Sequence, residues 1–242
     1  TTDGIRQFGY GYGNYAGDTE ADSTKRHYPG ELVWSPDSKR FATMKWDMRK
    51  LDDLWVINSV GGKRPELETY KYQMPGEPGP KGYLYMFTMN DSRTEASFKQ
   101  IKSQAFKDQE VSLQNARRTA KDNYLDFWKN EWLGDNSGFY LVRQSRDLKR
   151  LDLCWVGVDS DSTKTIISER ERTYVEYRTP FLIGGGKQIL HWSERNGWAN
   201  IYLYNNDGAF VRNLTDGAFH VEDILGVNEK EGYILLSACG VN

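Results

Sequence analysis

This sequence predicts an all-β fold, a partial β-propeller of about three to four blades, each an antiparallel four-stranded sheet. Three observations carry that expectation. A strand-turn-strand unit recurs, clearest over 191–204, where His191-Trp192-Ser193 and Ala199-Asn200-Ile201-Tyr202-Leu203-Tyr204 flank a polar turn. Polar turns of this kind recur roughly 45 to 50 residues apart, the length of one blade. A four-stranded unit of that size cannot bury both faces of its sheet alone, so the units must stack in an array.

Four turns align between first and second strands: Pro36-Asp37-Ser38-Lys39, Asp135-Asn136-Ser137-Gly138, Gly184-Gly185-Gly186-Lys187 and Asn228-Glu229-Lys230-Glu231-Gly232. Each is followed by a run rich in β-branched and aromatic residues, which reads as a second strand: 40–45, 139–143, 188–192 and 233–237. Third strands are expected at 53–58, 151–159 and 199–204, and weaker fourth strands at 163–167 and 209–214. The first two turns are about twice as far apart as the others, which implies extra chain between them. In that interval Pro75-Gly76-Glu77-Pro78-Gly79-Pro80 is a turn-rich connection leading into the apolar strand 83–89. The polar stretch 91–123, with Lys99, Lys102, Lys107, Arg117, Arg118 and Lys121, reads as a surface insertion, partly strand and partly loop, and not as a domain. The fourth copy holds two strands, so residues 1–242 are expected to be part of a larger propeller. An arc of blades has open sheet edges and exposed inter-blade faces, and is expected to self-associate through them.

The 242 residues carry 38% hydrophobic content, with 8 Trp and 15 Tyr as large anchors, enough for a substantial core. No run approaches the roughly 18 apolar residues that cross a bilayer, and the first residues have no signal-peptide pattern. A formal charge of −2 with interspersed signs offers no field for a polyanion, which argues against nucleic acid as a partner. The 2 cysteines, Cys154 and Cys239, are too few for a disulfide framework or a zinc site and read as buried thiols.

Few constellations carry chemistry. The run Gly9-Tyr10-Gly11-Tyr12-Gly13-Asn14-Tyr15-Ala16-Gly17 has the glycine density of a phosphate loop. It is followed by Asp18, Glu20, Asp22, Ser23 and Pro29 rather than by a helix, so it reads as a Gly/Tyr loop able to line an entrance, and no nucleotide cofactor is expected. His27, His191 and His220 lie outside any metal-ligand spacing, and His191 falls on a second strand, where a hydrogen-bonded structural role is expected. Ser35 and Ser193 end strands and satisfy turns. No Gly-x-Ser-x-Gly elbow occurs, so no α/β-hydrolase nucleophile is present. Glu169, Glu171 and Glu176 alternate with Arg170, Arg172 and Arg178. They read as a solvated edge, or alternatively as a place where one carboxylate or guanidinium faces a channel and holds a peptide end.

Three stretches are more specific in combination. Leu32-Val33-Trp34-Ser35-Pro36-Asp37-Ser38-Lys39-Arg40-Phe41-Ala42, then Tyr72-Gln73-Met74-Pro75-Gly76-Glu77-Pro78-Gly79-Pro80, then Trp192-Ser193-Glu194-Arg195-Asn196-Gly197-Trp198-Ala199-Asn200-Ile201-Tyr202-Leu203-Tyr204 occur in this order, closed by Leu214-Thr215-Asp216-Gly217. Together they resemble the N-terminal β-propeller domain of the dipeptidyl peptidase IV family of prolyl oligopeptidase-type serine peptidases. The resemblance covers about 30–239, with 91–123 poorly matched.

The resemblance implies an eight-bladed propeller capped by a C-terminal α/β-hydrolase domain that holds the Ser-Asp-His triad. On that basis this chain is non-catalytic, with no catalytic, metal or cofactor residue of its own. It would gate peptide access and help position the substrate for the hydrolase domain. In the family a glutamate pair just before the Trp-Ser-Pro blade binds the substrate's free N-terminus. Here the matching stretch reads Asp3-Gly4-Ile5-Arg6-Gln7-Phe8-Gly9-Tyr10-Gly11, without that pair. Asp18, Glu20 and Asp22 do not match the motif, so the role is not carried over to them. Bacterial members of the family imply a periplasmic or extracellular location. The rival reading is a non-enzymatic propeller module that presents 9–17 and 91–123 to a protein or glycan partner.

Overall fold

The structure is a computed structural model that describes residues 3–5, 7–11, 32–113, 132 and 135–240. Its described residues form three sheets of four strand positions, a separate two-stranded hairpin and a final two-stranded sheet, with a 3-10 turn at Gly184–Gly186. In the first blade β1 (Phe8–Tyr10) and β2 (Val33–Trp34) both pair with β3 (Arg40–Asp47), β1 along Lys45 to Asp47 and β2 along Phe41 and Ala42. The chain then leaves the sheet as a hairpin, β4 (Asp53–Asn58) with β5 (Glu66–Lys71). It returns as β6 (Lys81–Met89) on the far side of β3, followed by β7 (Ala96–Ile101).

The second blade runs β8 (Glu110–Leu113), β9 (Gly138–Gln144), β10 (Arg150–Gly157) and β11 (Lys164–Arg170) in spatial order. The third repeats it with β12 (Phe181–Ile183), β13 (Gln188–Ser193), β14 (Asn200–Asn205) and β15 (Phe210–Asn213). The last sheet pairs β16 (His220–Asn228) with β17 (Tyr233–Cys239). These sheets are the partial propeller that the turn spacing predicts.

The second strands are apolar on both faces because each face meets a neighbouring blade. In β9, Phe139 and Leu141 pack with Ala42, Met44, Leu84 and Met86 of the first blade, whereas Tyr140 and Val142 pack with Ile189, Tyr202 and Tyr204 of the third. A further cluster, including Leu190, Trp192, Ile201, Val221 and Ile224, joins the third sheet to the last. Sheets buried on both faces read as continuous apolar runs instead of alternating ones.

The four aligned turns are confirmed as the links between first and second strands, and they touch pairwise. The Asp37 N–H donates to Asn136 Oδ1 at 2.9 Å, and the Gly184 N–H donates to Glu229 Oε2 at 2.9 Å. Trp132, fully buried, donates its indole N–H to the Val33 carbonyl at 2.9 Å, tying the first blade's inner strand to the second blade. Gly208, at φ +96, sits so close to the Ile166 carbonyl that a Cβ would overlap it, so only glycine allows this turn to lean on the preceding blade.

The first blade departs from the expected order. The run 53–58, expected as its third strand, is the hairpin arm β4, and the third strand is β6. Both segments are β-rich, and the difference is burial. Trp55, Ile57 and Leu67 of the hairpin are 71%, 68% and 62% exposed, whereas Leu84, Met86 and Phe87 of β6 are buried. Within 91–123, expected as a surface insertion, residues 91–113 are described and contain β7, paired to β6, and β8, paired to β9. The hairpin excursion supplies part of the extra length between the first two turns. Of the Gly/Tyr run at 9–17, Gly9 and Tyr10 belong to β1, and Tyr12 onward lies outside the described residues.

Candidate functional site

Among the charged and catalytic-type residues singled out in the sequence, the structure brings Glu169, His191 and Ser193 into one cluster, with Arg195 at its centre. Glu169, next to the last residue of β11, lies on the face turned toward the third blade and is buried. Its Oε1 accepts from His191 Nε2 at 2.8 Å and from the Arg195 guanidinium. His191 stands on β13, with Tyr202 directly across on β14. Arg195, in the β13–β14 turn, donates from Nε to Ser193 Oγ at 3.0 Å and from Nη1 to the Tyr204 hydroxyl. Its guanidinium also lies 4.3 Å from the Tyr202 ring centroid, a cation–π contact within a largely desolvated site.

Burial pushes the Glu169 carboxyl upward, but the His191 hydrogen bond and the Arg195 charge outweigh it and hold the group below the usual carboxylate range. Glu169 is therefore an anion shared across the boundary between the second and third blades. Two polar atoms beside it, His191 Nδ1 and the Tyr202 hydroxyl, are buried with no hydrogen-bond partner among the described residues. With Nε2 directed at a carboxylate, the tautomer carrying its proton on Nε2 leaves Nδ1 as a bare acceptor, which is less costly than an unsatisfied donor.

The neighbouring charges do not join this cluster. Glu176 pairs with Arg178 at 2.6 Å, and the Arg178 guanidinium stands 5.3 Å from the Trp192 ring. Glu171 is exposed and its amide binds the Lys149 carbonyl. The alternation of signs thus hides three environments: an inter-blade anion at 169, a solvated residue at 171 and a surface pair at 176 and 178. Glu169 points into the boundary between blades and is already neutralised there, so it is not free to hold a peptide end.

A second buried carboxylate lies on the opposite face of the second blade. Asp152 on β10 accepts from Arg143 Nε at 2.8 Å, Arg170 Nη2 at 2.6 Å and Ser168 Oγ at 2.9 Å. Burial again opposes ionisation, and the two guanidiniums with Ser168 overcome it, holding Asp152 below its ordinary value. Arg143 spends its remaining donors on the Ser103 carbonyl and on Thr163 and Thr165. Nothing in the sequence reading singled out Asp152. The available signal was its place in a strand otherwise made of Leu151, Leu153, Cys154 and Val156, where a carboxylate needs partners.

In the N-terminal stretch 3–11, Asp3 is engaged by the protein itself. It lies 2.9 Å from the buried ammonium of Lys45 and accepts from the Tyr10 hydroxyl at 2.7 Å. The same ammonium sits 4.0 Å from the Phe8 ring and 4.8 Å from the Tyr10 ring. Its neighbours Lys45 and Tyr10 hold Asp3 below its usual range.

Ser35 satisfies a turn as expected, accepting from the Arg40 amide and donating to Asp37. Cys154 is buried and its thiol is pushed up to about 11 by that burial, whereas Cys239, expected to be buried, is exposed beside Glu222. Both are free thiols. His220 packs edge-on against Trp192, and His27 lies outside the described residues. Among the described residues no group of acidic, His and Cys side chains could hold a metal ion, and no helix is long and apolar enough to cross a membrane.

The comparisons with known proteins agree with this architecture. Residues 28–240 match the family model described as the dipeptidyl peptidase IV N-terminal region. A solved structure of Porphyromonas gingivalis dipeptidyl peptidase 4 is 20% identical, with a TM-score of 0.72, over 98% of this chain and 31% of that one. A Bacteroides ovatus structure assigned as a dipeptidyl aminopeptidase IV is 18% identical, with a TM-score of 0.62, over 86% of this chain and 29% of that one. At these identities the likeness is one of fold, and the chain spans less than a third of either structure's length.

Proposed function

The chain belongs to the dipeptidyl peptidase IV N-terminal-region family, and from that premise we propose that it is the non-catalytic propeller portion of a serine peptidase of that type. Its role is to limit access to short or unfolded peptides and to help position them for a C-terminal α/β-hydrolase domain. The observation that carries this reading is the family match over 28–240, supported by blades that stack in the order the fold requires. A periplasmic or extracellular location and self-association through open blade edges belong to the same proposal.

The substrate's ammonium is not assigned to Glu169 or to Asp3. Glu169 is neutralised by Arg195 and hydrogen-bonded by His191, and Asp3 is neutralised by Lys45. Because the stretch 3–11 lacks a glutamate pair, the cleavage register is expected to differ from strict dipeptide release, or the parent to be inactive on such substrates. The test is turnover of Xaa-Pro chromogenic dipeptides and tripeptides by the full-length parent beside this chain. Turnover by the parent alone supports the proposal, and the preferred length reports the register. No turnover by a parent with an intact triad would favour a binding module instead. Turnover by the isolated chain would overturn the non-catalytic assignment.

A further inference from the structure

We propose that the cleft between the start of β6 and the loop after β7 is a binding site for an acidic peptide segment. The cleft has a volume of about 660 Å³, within the range of roughly 300–1,000 Å³ that ligand sites occupy and far more than one small anion fills. Three lysines line it: Lys81 at the first position of β6, Lys102 just past β7, and Lys107 in the β7–β8 loop. Lys102 is tethered to Asp161 at 3.0 Å. Lys81 and Lys107 are exposed and have no acidic partner among the described residues. The carboxylate of the lining, Asp108, is itself turned toward Arg146 at 3.9 Å.

The loop that forms one wall is built rather than slack. The Gln109 side chain, buried beneath it, accepts from the Ala105 and Phe106 amides at 2.7 and 3.1 Å and donates to the Ser103 carbonyl at 3.0 Å. Behind the same loop, Arg143, Arg150 and Arg170 stand 5.7, 4.9 and 5.2 Å from the Phe106 ring. Asp152 pairs with both Arg143 and Arg170 and offsets one of their two charges, and Arg150 adds a further positive charge. Positive charge therefore predominates on both sides of the loop although the whole chain carries −2. Pro78, Pro80 and Tyr83 complete the walls with surface suited to the chain between charged groups.

Carboxylates spaced along a peptide meet both requirements, lysine ammoniums for the charges and apolar wall for the backbone between them. The identity of the anion as a peptide rests on the peptide-handling role proposed above, while the charge of the cleft does not.

The test is binding of end-blocked, fluorescently labelled tetraglutamate to this chain at low salt, with tetraglutamine as the neutral control and inorganic pyrophosphate as a competing small anion. Tetraglutamate is expected to bind and tetraglutamine not to. Lys81→Gln with Lys107→Gln should weaken binding about tenfold, the worth of two partly exposed ion pairs. Lys63→Gln with Lys230→Gln, an equal charge change at exposed positions elsewhere, should leave it unchanged. Unfolding midpoints confirm that both pairs of variants fold. Equal weakening by the two pairs, no weakening by the cleft pair, or equal binding of tetraglutamine would overturn the site. Binding of pyrophosphate without tetraglutamate would overturn its peptide specificity. No turnover is read, so inactivity of the parent would count against the proposed function and leave this result standing.

Discussion

The second blade carries a buried carboxylate on each face, and the two are neutralised in opposite ways. Asp152, facing the first blade, is paired by Arg143 and Arg170 of its own sheet, and these two arginines in turn reach the β7–β8 loop, at the Ser103 carbonyl and the Phe106 ring. Glu169, facing the third blade, has no cation of its own sheet among the described residues and takes its partners His191 and Arg195 from the next. Asp152 therefore organises a blade, while Glu169 joins two. The same sequence device, an acid in a β-strand, does separate jobs depending on which strand supplies the counter-charge.

The largest expected effect is at Asp152. Replacing it with Ala leaves Arg143 buried without its anion and should lower stability by about 3–5 kcal/mol, read as a drop in denaturant midpoint. Glu169→Gln keeps the shape but removes the charge that Arg195 and His191 share, and should cost about 2–3 kcal/mol. Hydrogen exchange should then rise mainly across the β11–β13 boundary, whereas the Asp152 variant should loosen the second blade itself.

Acid should sharpen the contrast. Both carboxyls are held below their ordinary values, 3.8 for Asp and 4.5 for Glu, so each stabilises the fold fully above that value. The contribution is lost as pH falls through the lowered folded value. The stability gap between the wild type and Glu169→Gln should close as the solution is acidified below the ordinary Glu value. A gap that did not change with pH would mean that charge is not what Glu169 contributes.

Smaller effects test the frame around these sites. Gly208→Ala forces a Cβ against the Ile166 carbonyl at positive φ and should cost about 1–3 kcal/mol. Trp55→Ser, on the exposed hairpin, should change stability by no more than about 0.5 kcal/mol despite removing a large apolar side chain.

The blade frame was legible in the sequence because turn chemistry is local. Ser38, Asn136, Gly185 and Gly232 all adopt positive φ in the aligned turns, and Asn and Gly favour that conformation. The hairpin at 53–71 was not legible as an excursion, since β-propensity does not distinguish a strand between two blades from one standing in solvent. Strand order was also obscured by a repeated turn. Ser35-Pro36-Asp37-Ser38-Lys39-Arg40 and Ser145-Arg146-Asp147-Leu148-Lys149-Arg150 share a Ser-x-Asp-x-Lys-Arg pattern. In both, the Ser hydroxyl donates to the Asp, at 2.6 and 2.5 Å, and accepts from the Arg amide. The first links strands one and two of its blade, the second strands two and three, so the motif marks a turn without marking its place. The Glu169 cluster was hidden for another reason. Its partners lie 22 and 26 residues away on another blade, and strict sign alternation around it imitates a solvated edge.

The most direct test of the inter-blade role is a double-mutant cycle between Glu169→Gln and Arg195→Gln, measured by equilibrium unfolding of this chain. A carboxylate neutralised across the boundary predicts coupling of about 1–3 kcal/mol, with the second substitution costing much less once the first is made. Additive losses would contradict it, and would mean that Glu169 and Arg195 stabilise their own blades independently.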